Sequence, residues 1–316
     1  MKTPLVSIVV CTYNRPEILQ ECLQSLAEQT MNKNLYEVII VDNNSTDSTR
    51  KIAQSFSRRN NEFRVVLEAN QGLSNARNRG WQEAASDWVA YIDDDAKATA
   101  DYVERMLHII ENYSFDCFGG VYLPWYKYGK PRWFKDRYAV ATNSYVQDTT
   151  GPISKGRYAF GGNMVFRRSV LCKFGGFSPE YGMKGAVQAY GEEIHLQKRI
   201  EGEGLLIGFD PGLCVYHLVS SYKFNLIWLL KFQFRTNLCY VFVNTPSVSW
   251  NSLINILRNA FSHIIISPFR FALNLRYSDY YIKNWIVDVF QPLAGHLGLF
   301  VGTLRKLLLN KKIFSQ

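Results

Sequence analysis

Three consecutive aspartates, Asp93, Asp94 and Asp95, close an apolar run from Trp88 to Ile92 and gather three carboxylates at one point of the chain. Such groups repel one another unless a hard cation sits among them, and Mg²⁺ or Mn²⁺ shared between carboxylates and phosphate oxygens is the standard solution. Taken alone, the triplet also reads as a solvated acidic turn. Its setting favours the cation, because Thr12-Tyr13-Asn14 and Asp42-Asn43-Asn44 likewise follow apolar runs. Three polar strand ends in series point to a nucleotide site. A further acid pair, Glu192-Glu193 after Gly191, opens a helical pattern; there a carboxylate either accepts a proton or stabilises the helix N-terminus.

These residues need elements to hold them. Leu5 to Cys11 is a β-branched run, and Pro16 to Gln29 has Ile18, Leu19, Cys22, Leu23 and Leu26 at helical spacing with Pro16 in the first turn. Val38 to Val41, Arg64 to Leu67 and Trp88 to Ile92 read as further strands, with helices over 45–56 and 74–85 between them. Strands apolar on both faces, alternating with helices, imply an α/β fold with a mostly parallel central sheet flanked by helices. Ligands in such sheets bind at the carboxyl ends of the strands, where the strand order reverses. Tyr122 to Phe134, aromatic, basic and broken by two prolines, reads as a loop.

Beyond His217 the pattern is helical, apolar and basic over 224–242, 250–275 and 285–309. Arg258, His263, Arg270, Asp288, Pro292 and His296 interrupt each apolar stretch below the ~20 residues a membrane span requires. Amphipathic helices lying in a membrane interface fit better. Residues 221–316 hold 11 Lys or Arg against two acids, which accounts for the whole net charge of +9. A basic excess confined to one region calls for an anionic surface. No nucleic-acid-binding signature accompanies it, so an anionic membrane is the expected partner and nucleic acid is not. The division expected is therefore 1–220 as the catalytic domain and 221–316 as a helical amphipathic region. Six scattered cysteines without metal-like spacing fit reduced thiols in the cytoplasm.

The ordered series Ser7 to Arg15, Val41 to Asp47, Asn70 to Asn78, Tyr91 to Asp95, then Gly161-Gly162-Asn163, Gly175-Gly176-Phe177 and Gly191-Glu192-Glu193, resembles the inverting, non-processive family 2 glycosyltransferases of bacterial polysaccharide synthesis. The resemblance covers roughly residues 5 to 218 and implies the GT-A fold. It also implies a nucleoside-diphosphate sugar as donor, a UDP-sugar being favoured, and a glycan or polyprenyl-linked hydroxyl as acceptor. It places the enzyme on the cytoplasmic face of the cell membrane.

By the same resemblance, Thr12, Tyr13 and Asp42 hold the base, with Asn14, Arg15, Asn44, Asn70 and Gly72 around the nucleotide. Arg77 lies near the diphosphate. Gly161 and Gly162 let the backbone come close to the donor sugar, Asp94 lies near the ribose or the donor sugar, Asp93 and Asn163 belong to the nucleotide-sugar site, and Asp95, Asp93 and His217 hold Mn²⁺ or Mg²⁺. Glu193, supported by Glu192, is the catalytic base. Family members usually carry Asp at the second position, and the extra methylene of Glu193 moves the carboxylate by about 1.5 Å unless something compensates. Trp125, Tyr126 and Trp133 offer flat faces to an acceptor, or form an aromatic minicore under a long loop.

Other functions remain to be weighed. A dinucleotide-dependent oxidoreductase would need GxGxxG where this chain has Thr12-Tyr13-Asn14-Arg15. A nucleotidyltransferase could use the same cation but has no call on the Gly-Glu-Glu segment. A non-catalytic relative that only binds the nucleotide sugar is a further alternative, motivated by the Glu193 departure.

Overall fold

The computed structural model describes residues 3–139, 147–183, 191–245 and 247–313. Contacts divide the chain into two compact units, one of residues 1–125 and 141–218, the other of 126–140 and 219–316.

The first unit opens with β1 (Val6–Thr12), α1 (Pro16–Ala27), β2 (Tyr36–Asp42), α2 (Thr49–Arg59), β3 (Phe63–Leu67), α3 (Leu73–Glu83) and β4 (Trp88–Asp93). Then follow β5 (Ala96–Ala98), α4 (Tyr102–Asn112), β6 (Cys117–Trp125), β7 (Gly151–Pro152), β8 (Asn163–Arg167), α5 (Arg168–Phe174), α6 (Glu192–Gly202) and β9 (Ile207–Leu218). Among the described residues they form one sheet in the order β3-β2-β1-β4-β8-β6-β9-β5, with β7 beside β9. The first four strands are parallel, β8 runs antiparallel to β4 and β6, and β6 and β9 are parallel.

Alternation along the strands decides what covers each face. Val6, Ile8 and Val10 turn to a core with Leu19, Leu23 and Leu26 of α1 and Met106 of α4, while Val9, Ile39, Val41 and Tyr91 pack with Ala76 and Leu196 on the other side. Helix α3 lies so close to β1 that a Cβ on Gly80 would sit 2.3 Å from Val9 Cγ1. Strand β1 lies between β2 and β4, and the register sets Thr12 beside Asp42 and Cys11 beside Asp93. The polar strand ends therefore share one edge.

Two details differ from the expectation. Tyr122 to Trp125 is not loop but the end of β6, paired in register with Val215 to Leu218. A Pro-containing aromatic segment becomes strand here because a distant partner supplies the ladder. The tiny β5 pairs antiparallel with β9, Ala96 opposite His217.

In the second unit, α7 (Leu226–Asn244), α8 (Trp250–Asn274) and α9 (Ile282–Ile313) are long helices. Pro292 lies within α9 without ending it, and Asp288 is paired with Arg137 in the same unit. The residues expected to break the apolar run thus do not break the helix. Its Ile282–Leu308 stretch is long and apolar enough to cross a membrane by length and composition, with 33% of its most apolar window buried.

Candidate active site

The strand-end acids lie against one another. Thr12 Oγ1 donates to Asp94 Oδ2 at 2.8 Å, and Arg15 Nη1 reaches Asp94 Oδ1 at 3.1 Å and Asp95 Oδ2 at 2.9 Å. Asp93 receives the Tyr122 hydroxyl at 3.3 Å. His217 Nε2 lies 3.2 Å from Asp95 Oδ1 and 3.8 Å from Asp93 Oδ2, placed there by the Ala96–His217 bridge and by the Leu218 N–H donating to the Asp95 carbonyl at 2.9 Å. Tyr122 stacks on the imidazole, with ring centroids 4.9 Å apart.

These three side chains fit a divalent cation. One ligand atom from each of Asp93, Asp95 and His217 falls within 4.8 Å of the other two. Metal–ligand bonds of about 2.0–2.2 Å place neighbouring donors on that scale. The electrostatics agree. Burial and the neighbouring acids push Asp93 up, against the pull of Arg77, and push Asp94 up to about 7, against the pull of Arg15.

Arg77 links this cluster to the second acid pair. Its buried guanidinium pairs with Glu192 through Nη1, while Nη2 donates to the Gly161 carbonyl at 3.1 Å and lies 3.6 Å from Asp93 Oδ1. Phe177 supports the guanidinium from 5.5 Å. A guanidinium so engaged braces the two acid groups. Glu192 is likewise buried and committed to Arg77. Glu193, half-buried at the start of α6, carries the carboxyl that burial and the adjacent Glu192 push up to about 8, with Arg77 opposing. Gly191, at φ 109°, precedes the helix in a conformation that favours glycine.

The nucleotide-end residues form a knit of loops. Asp42 is fully buried, accepts from Ser45 N–H at 2.9 Å and pairs with Arg50 Nε at 2.6 Å. Asn14 and Asn44 adopt left-handed conformations, at φ 52° and 64°. Asn14 joins the two loops by accepting the Thr46 N–H at 2.9 Å. Tyr13 is half-buried, and Asn44 and Asn70 are exposed. Asn43 accepts the Gly72 N–H at 2.8 Å and donates to the Asn70 carbonyl at 2.8 Å, fastening the third loop.

Several assignments change. Asn163 is fully buried, its amide donating to the Val121 and Leu213 carbonyls and accepting from Tyr102, so it fastens β8 and its side chain does not reach a nucleotide sugar. Gly162 has no room for a side chain: a Cβ there would meet Asp93 Oδ2 at 2.0 Å and the Tyr122 hydroxyl at 2.6 Å. A Cβ on Gly161 would likewise meet Arg77 Nη2 at 2.7 Å. Trp133 is buried in a minicore with Phe134, Tyr138 and Leu229, and Tyr126 packs against it while donating to Asp136 at 2.7 Å. The minicore reading therefore holds for both, and their faces are not free for an acceptor. Trp125 lies in the first unit under Lys97, whose Nζ is 4.2 Å from the ring centroid. Sequence reasoning missed Tyr122, Asn43 and Arg50. Asn43 could have been found from its place inside the Asp42-Asn43-Asn44 cluster; the other two carried no signal of their own.

The profile described as Glycosyl transferase family 2 matches residues 7–175. The chain is 30% identical over 233 residues, 73% of its length and 71% of the relative's, to the glycosyltransferase AglE of Haloferax volcanii. It is 29% identical over 229 residues, 71% of this chain and 72% of the relative, to a glucosyl-dolichyl phosphate glucuronosyltransferase of the same organism. The solved mannosyltransferase PcManGT of Pyrobaculum calidifontis, in complex with GDP-Man and Mn²⁺, shares the fold with a TM-score of 0.63 at 18% identity, over 94% of this chain and 87% of that one. The α/β sheet, parallel in its first half and mixed beyond β4, has the GT-A fold. The chain belongs to glycosyl transferase family 2.

Proposed function

We propose that this enzyme transfers one sugar, with inversion, from a nucleoside-diphosphate sugar to a hydroxyl of a lipid-linked glycan at the cytoplasmic surface of a membrane. The observation that carries the reading is Arg77, which joins the Asp93 cluster to the Glu192-Glu193 pair. Asp93, Asp95 and His217 would hold a divalent cation, which supplies neutralisation of the negative charge that develops on the leaving diphosphate. Asp42 and the Asn43-fastened loops form a rigid cradle for the nucleotide. Glu193, held at the start of α6, takes the acceptor proton as the acceptor oxygen bonds to the anomeric carbon. The bond from that carbon to the diphosphate oxygen breaks, and the diphosphate leaves with the electron pair. Glu192 is bound to Arg77, so it positions its neighbour and does not itself accept the proton.

For the second unit, the composition supports a membrane surface. It holds sixteen Lys or Arg against three acids, and α8 exposes Phe261 and Phe269. All six cysteines are free, as a reducing compartment requires. The donor is tested by thermal-shift titration of UDP-, GDP-, dTDP- and CMP-sugars with and without Mn²⁺, followed by assay for diphosphate nucleotide release. One donor should stabilise the chain only with Mn²⁺ present and be consumed only with an acceptor. Turnover of a nucleoside triphosphate with pyrophosphate release would instead indicate nucleotidyl transfer.

A further inference from the structure

One polar side chain on α6 stands where packing alone calls for an apolar one. Glu193, Leu196, Gln197 and Ile200 are spaced three, one and three residues apart and so share one helical face, of which Leu196, Gln197 and Ile200 are fully buried. Leucine or methionine at 197 would fill the same seam. A buried amide is costly unless both of its ends are bonded. Here both ends are bonded, and to one residue: Gln197 Oε1 accepts the Ala159 N–H at 2.8 Å and Gln197 Nε2 donates to the Ala159 carbonyl at 2.9 Å. The same Nε2 donates to the Glu193 carbonyl at 3.2 Å.

Ala159 is itself held close to the sheet, since a Cβ on Gly119 of β6 would lie 2.4 Å from the Ala159 Cβ. Two residues further on, the Gly161 carbonyl accepts from Arg77 Nη2 at 3.1 Å, and Nη1 of that guanidinium pairs with Glu192. The start of α6 is therefore tied to residues 159–161 at two points, through Glu192 and Arg77 just before Glu193 and through Gln197 one turn after it. The second tie is the stiffer. It joins the helix directly to a backbone, and a reciprocal amide pair fixes orientation as well as distance because donor and acceptor must both be met.

We infer that Gln197 is a positioning residue for the base: it holds the turn of α6 that bears Glu193 against the Ala159–Gly161 backbone and so sets where the Glu193 carboxyl meets the acceptor hydroxyl. This deepens the function proposed above and rests on Glu193 being the base. A reacting group misplaced by about 1 Å can cost ~10²-fold in rate, which gives one buried amide a large lever.

Transfer to octyl glucoside, a minimal lipid-linked sugar, is measured for the full chain with the nucleotide sugar that the thermal-shift series selects. Gln197→Met should lower kcat about tenfold or more and leave the donor KM unchanged. Ile200→Val, which trims a fully buried side chain on the same face, should lower the melting temperature and leave kcat unchanged. In the Glu193→Gln background Gln197→Met should cost nothing further, because a residue that acts through the base has no effect once the base is gone. Should Gln197→Met not fold, Gln197→Asn, which keeps an amide one methylene shorter, should give the same pattern. A carboxyl ¹³C titration of Glu193, identified by its loss in Glu193→Gln, needs no acceptor: Gln197→Met or Gln197→Asn should lower its midpoint by about one pH unit or more as water reaches the loosened turn, and Ile200→Val should not. Equal losses from the Gln197 variant in both backgrounds, or an unmoved Glu193 midpoint, overturn the positioning role and leave Glu193 as the base. Full transfer by Glu193→Gln overturns the base and the positioning role together.

Discussion

Glu193 shows at residue scale how the site is tuned. Burial and the neighbouring Glu192 push its carboxyl from an ordinary 4.5 up to about 8. A base works only when deprotonated, so transfer should rise with pH and level off above about 8 in a kcat–pH profile. Glu192→Gln removes the like charge and frees Arg77 from its pairing with Glu192, so the rising limb should move to lower pH. Glu193→Gln should cost about 10²- to 10⁴-fold in transfer while leaving donor-induced stabilisation intact. The stability effect has a definite sign. A folded-state pKa above the unfolded value means the native chain binds the proton more readily, so the contribution is present at low pH and lost as pH rises from about 4.5 through 8. At pH 8 the Glu193→Gln variant should therefore melt at a higher temperature than the wild type, whereas at pH 4 the two should converge.

At the scale of elements, the site is an affair of close approach between strand ends. Gly162, just before β8, leaves room for both Asp93 Oδ2 and the Tyr122 hydroxyl. Gly162→Ala should displace Asp93 and weaken Mn²⁺ binding more than tenfold by calorimetry, with the far-UV spectrum unchanged; undiminished Mn²⁺ affinity would contradict this packing. The parallel half of the sheet was legible in the sequence because Val6 to Val10, Val38 to Val41 and Val89 to Ile92 are buried on both faces, leaving long apolar runs with polar residues at their ends. The other half was not. Strand β5 has three residues and exists through β9, more than 100 residues away, and the Tyr122–Trp125 end of β6 hides among loop-forming aromatics and Pro124. For the same reason the acids of the site were legible and their supports were not. Asp93 and Asp95 declare themselves by type and place, but the brace at Arg77 and the stack of Tyr122 on His217 come only from the tertiary path.

Over the whole molecule, charge is divided as sharply as chemistry. The unit holding the acids has 20 Lys or Arg against 24 acids, and the other has 16 against three. Attraction of the basic unit to anionic vesicles should weaken as salt is raised toward 1 M, where the screening length falls to about 3 Å. Sedimentation of vesicles across a salt series measures this, and binding indifferent to salt would point to insertion through the apolar face of α8 or α9 alone. The central claim, that Asp93, Asp95 and His217 hold a cation which in turn holds a diphosphate, is tested most directly by calorimetric titration of Mn²⁺ with and without the nucleoside diphosphate of the preferred donor. Each ligand should tighten the other by the same factor, as linkage requires, and Asp95→Asn should abolish that coupling. Nucleotide binding of equal strength with and without Mn²⁺, unaltered by Asp95→Asn, would contradict it.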